Sequence, residues 1–122
     1  LIDHTLDSEN SILYLRPRSA LAEADFVQLA SVVDPHIEKA GDLKGIIIET
    51  RRFPGWESLG AMAAHIRFVR DHHKRIRKVG VVTDSPLATI AERLGSHFVA
   101  AEIRRFPEGQ TEAATQWVLT GA

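Results

Sequence analysis

Apolar residues recur along this chain with two different periods, and the changes of period mark the elements. In "LIDHTLDSENSILYLRP" (1–17), Ile12, Tyr14 and Arg16 alternate with Leu13 and Leu15, which predicts a strand ending at Pro17. A weaker strand precedes the turn-rich "DSEN". From Ala22 to Ala40, Phe26, Leu29, Val33, Ile37 and Ala40 recur at three- and four-residue steps, giving one apolar face of a helix that Gly41 closes. Asp34 and Pro35 inside that run resemble a cap followed by a first-turn proline, so a kink or a restart is expected there.

Further on, "KGIIIET" (44–50) is apolar on both faces, the pattern of a central parallel strand. Leu59, Met62, Ile66 and Val69 predict the inward stripe of a helix over 57–74, and "RKVGVVTD" (77–84) a second central strand. "SPLATIAERLG" (85–95) reads as a helix capped by Ser85, and "HFVAAEIRRF" (97–106) as the last strand. A final helix over 108–120 docks through Ala113, Ala114, Trp117 and Val118. Right-handed crossovers then make the later strands parallel. The expected fold is α/β: a mixed, mostly parallel sheet of about five strands, with an N-terminal hairpin and helices on both faces, forming a single domain over 1–122.

Composition narrows the classes of function. An apolar share of 44% and a charged share of 25% in 122 residues describe one folded domain rather than a disordered chain. The formal charge of −1 provides no field for nucleic acid, so no nucleic-acid partner is expected. Without cysteine there is no disulfide, thiol nucleophile or thiolate metal site, which fits a reducing cytosol, and a cytoplasmic location is expected. No apolar run approaches 18 residues, so neither a signal peptide nor a membrane span is expected.

One motif occurs twice. Arg51-Arg52-Phe53-Pro54 and Arg104-Arg105-Phe106-Pro107 each follow a predicted parallel strand, so both should lie at the strand C-termini, the edge where open α/β sheets bind ligands. On one reading, Arg51, Arg52, Arg104 and Arg105 converge there on an anion such as a phosphate, helped by helix N-termini near Trp56 and Gly109. On the other, Glu49 and Glu57 cancel the first pair and Glu102 and Glu108 the second, while Phe53 and Phe106 cover the sheet edge. The charge balance favours the second reading. Trp56, just ahead of the helix, either packs into the core and staples the helix down, which its apolar area favours, or lines a pocket between the two turns.

The same residues resemble a family. "GWESLGAMAAHIRFVRDHHKRIRKVGVVTD" followed by "FVAAEIRRFPEGQTEAATQWV" is similar to the SpoIIAA-like proteins, relatives of the STAS domain. The likeness lies in Gly55-Trp56 opening the second long helix, a basic stretch leading into a strand that ends at Asp84, a Phe-bearing last strand, and Ala114-x-x-Trp117 near the end. "EADF" (23–26) fits an acidic start to the first helix. The resemblance implies a STAS-like fold and a regulatory, non-catalytic role in binding a partner protein. It also implies a phosphorylation candidate at Ser58, where Ser58 and Gly60 match the family's Asp-Ser-Ser/Thr-Gly pattern while Glu57 and Leu59 depart from it. Lipid binders of the SEC14 kind have been likened to this fold group, which makes a lipid reading an analogy.

Residues 65–78 carry six basic residues, Arg67, Arg70, Lys74, Arg75, Arg77 and Lys78, against Asp71 alone. They would serve peripheral contact with an anionic membrane or an acidic partner, or simply collect where a helix C-terminus favours cations. His65, His72 and His73 lack the spacing of a metal site. Asp84 and Ser85 read as turn and cap, and there is no Gly-rich phosphate loop or Gly-x-Ser-x-Gly elbow, so no catalytic residue, metal or cofactor is expected.

Two functions follow, with an enzyme built on Asp84 as the least favoured third. The favoured one is a non-catalytic module that binds a partner protein or a second copy of itself through Trp56, Glu57, Ser58 and the rest of the start of helix 57–74. The other is a binder of lipid or another amphipathic anion, in a pocket near Phe53, Trp56 and Phe106 with the basic 65–78 segment at its mouth.

Overall fold

A computed structural model describes residues 1–86, 92 and 99–122. Strands β1 (Ile2–Asp7) and β2 (Ile12–Pro17) form an antiparallel hairpin, followed by helix α1 (Glu23–Ala40), β3 (Leu43–Glu49), helix α2 (Leu59–His72), β4 (Ile76–Val82), β5 (Glu102–Phe106) and helix α3 (Thr111–Thr120). The sheet order is β1-β2-β3-β4-β5, and every pair from β2 onward is parallel. The helix expected over 85–95 lies mostly outside the described residues.

Alternation along the strands divides the core in two. Leu13 and Leu15 of β2 and Ile46 of β3 face α1 and α2, where they pack with Phe26, Leu29 and Val33. Ile12 and Ile47 face the other way, onto Ala114, Trp117 and Val118 of α3, with Phe106 beside them. The parallel strands are thus covered on both sides, as their apolar sequences require.

Three expectations about helices are corrected. Helix α1 runs unbroken through Pro35 and neither stops nor restarts there; Gly41 ends it, its N–H donating to Ile37 O at 2.9 Å. Helix α2 is rotated from the expected orientation. It buries Ala61 and His72, with Ala64 and Phe68 packed against the core, and leaves Leu59 79% and Ile66 60% exposed. In α3, Ala113 faces solvent.

Candidate functional site

The C-terminal ends of β2 to β5 form one rim, and both Arg-Arg-Phe-Pro bends sit on it. Thr83, next after β4 and almost fully buried, ties them together. Its N–H donates to Phe106 O and its hydroxyl to Arg51 O, both at 2.8 Å. Asp84 serves the same junction by accepting the N–H of Glu108 at 3.0 Å, and Ser85 N–H donates to the Thr83 hydroxyl. These bonds occupy Asp84 and Ser85 as turn residues.

The four arginines do not converge. Arg104 and Arg105 are successive residues of a strand and so leave it on opposite faces. Arg104 stacks over the rings of Phe106 and Trp117, at 5.0 and 6.0 Å. Arg105 donates from Nη1 to Thr83 O at 2.9 Å. Arg51 reaches Glu108 at 3.3 Å, a pairing across the two copies rather than within one, and Arg52 makes no ion pair among the described residues. The expected cancellation within each copy is also corrected: Glu49 lies 3.9 Å from Arg16, and Glu57 points into solvent.

What gathers on the rim is a different set. An open cleft of about 940 Å³ is lined by Arg16 and Arg18 from the end of β2, Arg51 and Arg52 after β3, and Glu49 and Glu108. Arg16 and Arg18 were not singled out in the sequence. Their signal was available in the register, since a β2 parallel to β3 places its last residues beside Arg51. Arg16 also donates to Thr5 Oγ1, and Arg18 to Asp3 at 2.6 Å.

Next along the chain, the backbone of residues 55–57 pairs with Leu21. Leu21 N–H donates to Gly55 O and Glu57 N–H to Leu21 O, each at 2.8 Å, forming a parallel bridge at Trp56. Gly55 takes a φ of 81°, a left-handed turn that suits glycine. This bridge holds the Trp56 backbone in place while its ring remains 40% exposed, so the expected core role is corrected. The indole meets Phe53, 43% exposed, edge to face at 4.8 Å, and its Nε1 donates to His65 Nδ1 at 3.1 Å. His65 stacks on Phe26 at 4.9 Å, and burial lowers its pKa below the usual 6.5. Ser58 caps α2, its Oγ accepting Ala61 N–H at 3.0 Å, and stays exposed.

Behind this surface, between the sheet and helices α1 and α2, is an apolar cavity of about 410 Å³ whose walls include Leu15, Phe26, Ile46, Phe68 and Val79. Phe53 borders it. Phe106 does not, because it belongs to the α3 side of the sheet, so the pocket expected between the two phenylalanines is not formed. The basic segment is also misplaced relative to that expectation. Helix α2 carries the chain roughly 20 Å from the rim, at about 1.5 Å per residue, before β4 begins. At the far end Lys78 turns onto α3, donating to Trp117 O at 3.0 Å, and Arg75 pairs with Asp42.

Comparison with known proteins fits this architecture. A family model described as SpoIIAA-like matches residues 12–119. The chain belongs to the SpoIIAA-like family. A solved structure of an uncharacterized DUF3478 family protein with a SpoIIAA-like fold, from Shewanella loihica PV-4, superposes with a TM-score of 0.75 at 19% identity, covering 97% of this chain and 92% of that one. That likeness shows the fold. No curated protein matches. Among the described residues, no helix is long and apolar enough to cross a membrane, and no cluster of three or more His, Asp or Glu side chains is arranged to hold a metal.

Proposed function

We propose that this SpoIIAA-like domain is a non-catalytic binding module that holds a partner protein on the surface at and beyond the start of α2. The observation that carries this reading is the exposure of four large apolar side chains along one stretch, Phe53, Trp56, Leu59 and Ile66, where elsewhere among the described residues Leu1 and Val27 stand exposed singly. Large apolar side chains exposed close together along the chain are stabilised by being covered. Ser58 and Glu57 lie within it, so a phosphate on Ser58 would add about −1.5 to −2 charges at the contact itself. A photo-crosslinking residue at position 59 or 66 should give discrete protein adducts in cells, and one at Gln116 on α3 should give none. Equal, diffuse labelling at all three positions would remove the reading.

A second reading is favoured by the cavity. Its volume falls in the lower part of the ~300–1,000 Å³ range typical of small-molecule sites, and its apolar walls suit the hydrocarbon part of an amphipathic ligand.

A further inference from the structure

The apolar cavity and the arginine cleft are neighbours. Pro17, Thr50, Phe53 and Pro54 border both, so the two meet across the sheet rim. We propose that together they form one site for a single-chain anionic amphiphile, a free fatty carboxylate, with its chain beneath α1 and α2 and its carboxylate among Arg18, Arg51 and Arg52. This rests on the second reading above, that the cavity takes hydrocarbon, and it assigns the head group, the charge and the residues that recognise it.

The interior favours plain hydrocarbon because its described lining is almost wholly apolar, and the Thr50 hydroxyl and the Nδ1 atoms of His65 and His73 are already engaged. Thr50 donates its hydroxyl to Arg52 O at 2.7 Å. His65 Nδ1 accepts from Trp56 and His73 Nδ1 from Ala100 N–H at 2.9 Å. A charged head inside would lose water and find few partners in so apolar a lining, so it is better placed outside, where the rim supplies them. Four arginines line the cleft with two glutamates; Asp3 outside it pairs with Arg18, so one positive charge remains in surplus, and an incoming carboxylate would share Arg18 with Asp3. The Arg51–Glu108 pair is mostly exposed and so holds Arg51 only weakly. Arg52 has no acid of its own among the described residues. Guanidinium groups bind carboxylates through paired N–H bonds, which a neutral alcohol cannot match and a cationic head opposes. The cavity's modest volume suits one chain rather than two. The ligand is a free amphiphile rather than a membrane surface, because the basic segment lies at the other end of α2 and commits Lys78 and Arg75 to protein partners.

The test uses sodium decanoate below its micellar concentration, 1-decanol, decyltrimethylammonium, acetate and phosphatidylglycerol vesicles, read by calorimetry and by Trp56 emission. Decanoate should bind at least tenfold tighter than decanol, the cation more weakly than both, and acetate not detectably. The double variant R51Q/R52Q, altering two exposed side chains, should remove most of the advantage of decanoate over decanol and leave decanol unchanged. Val79→Phe, which fills the cavity, should weaken both. Equal binding of decanoate and decanol, unmoved by R51Q/R52Q, overturns the head-group assignment while leaving the cavity reading intact. Binding of neither removes both. Binding to vesicles alone overturns the site in favour of a membrane surface.

Discussion

Trp56 and His65 are joined by a hydrogen bond in which the indole Nε1 donates to imidazole Nδ1 at 3.1 Å, so Nδ1 must be unprotonated. The bond connects the stretch after β3 to the middle of α2, across the lip of the cavity. Burial lowers the pKa of His65 below 6.5 in the folded protein. The unfolded chain therefore takes up this proton first as pH falls. The stabilisation is fully present above about pH 6.5 and is lost as pH falls through the lower folded value. Urea titrations between pH 7.5 and 5 should show stability falling with acid, and His65→Gln should flatten part of that slope. An identical slope in the variant would show that His65 does not carry the pH dependence.

Asp34 and His72 form the corresponding clamp between α1 and α2. His72 is buried, with Nε2 2.7 Å from Asp34 Oδ1 and Nδ1 2.8 Å from Phe68 O. The Phe68 carbonyl can only accept, so Nδ1 donates to it, and Asp34 is the partner of Nε2. Replacing Asp34 with Ala leaves the buried Nε2 without its partner. A loss of about 1–3 kcal/mol is expected, measured by chemical denaturation at pH 6. Asp34→Asn, which keeps an acceptor oxygen, should lose less. Equal stability of wild type and Asp34→Ala would show that water replaces the carboxylate fully.

Two glycines should respond in opposite directions. A Cβ on Gly45 of β3 would lie 2.6 and 2.7 Å from the Val118 methyls and 3.2 Å from the Lys78 carbonyl, so α3 would have to lift from the sheet. Gly45→Ala should destabilise by about 1–3 kcal/mol. A Cβ on Gly60 in the first turn of α2 would meet the Glu23 carboxylate, the free end of a flexible side chain that can swing away. Gly60→Ala should be neutral, or stabilising by up to about 1 kcal/mol from helix propensity. Thermal melts of the two single variants decide both; a large loss at Gly60 would mean that Glu23 is fixed where it lies.

The strands were legible because alternation reports burial directly. In β2, the Leu13 and Leu15 face and the Ile12 and Tyr14 face separate as written, each finding its own helix layer. The face of α2 was not legible. Leu59, Met62, Ile66 and Val69 are spaced as regularly as Ala61, Ala64, Phe68 and His72, and they are the more apolar set. The inward set wins through small residues, which let α2 approach α1, and through His72, whose two hydrogen bonds satisfy its buried nitrogens. Hydropathy registers neither effect. The arginine repeat misled for a different reason: Arg104 and Arg105 still lie within β5 and diverge, whereas Arg51 and Arg52 follow the end of β3 by a residue and stay on the rim.

Ser58 allows the proposed phosphate switch to be examined without knowing the partner. Its hydroxyl acts as an acceptor for Ala61 N–H, a role that carboxylate or phosphate oxygens can also fill. Ser58→Ala removes the cap and should cost about 1 kcal/mol, or roughly 3–6 °C in melting temperature for a domain of this size. Ser58→Asp keeps the acceptor and adds a charge that the helix N-terminus favours, opposed by the Glu23 carboxylate close by on α1. The expected order of melting temperatures is therefore wild type and Ser58→Asp together, with Ser58→Ala below them. If Ser58→Asp falls as far as Ser58→Ala and recovers in the double variant with Glu23→Gln, repulsion from Glu23 outweighs the cap. The helix start would then resist a phosphate, and Ser58 would be a structural cap alone.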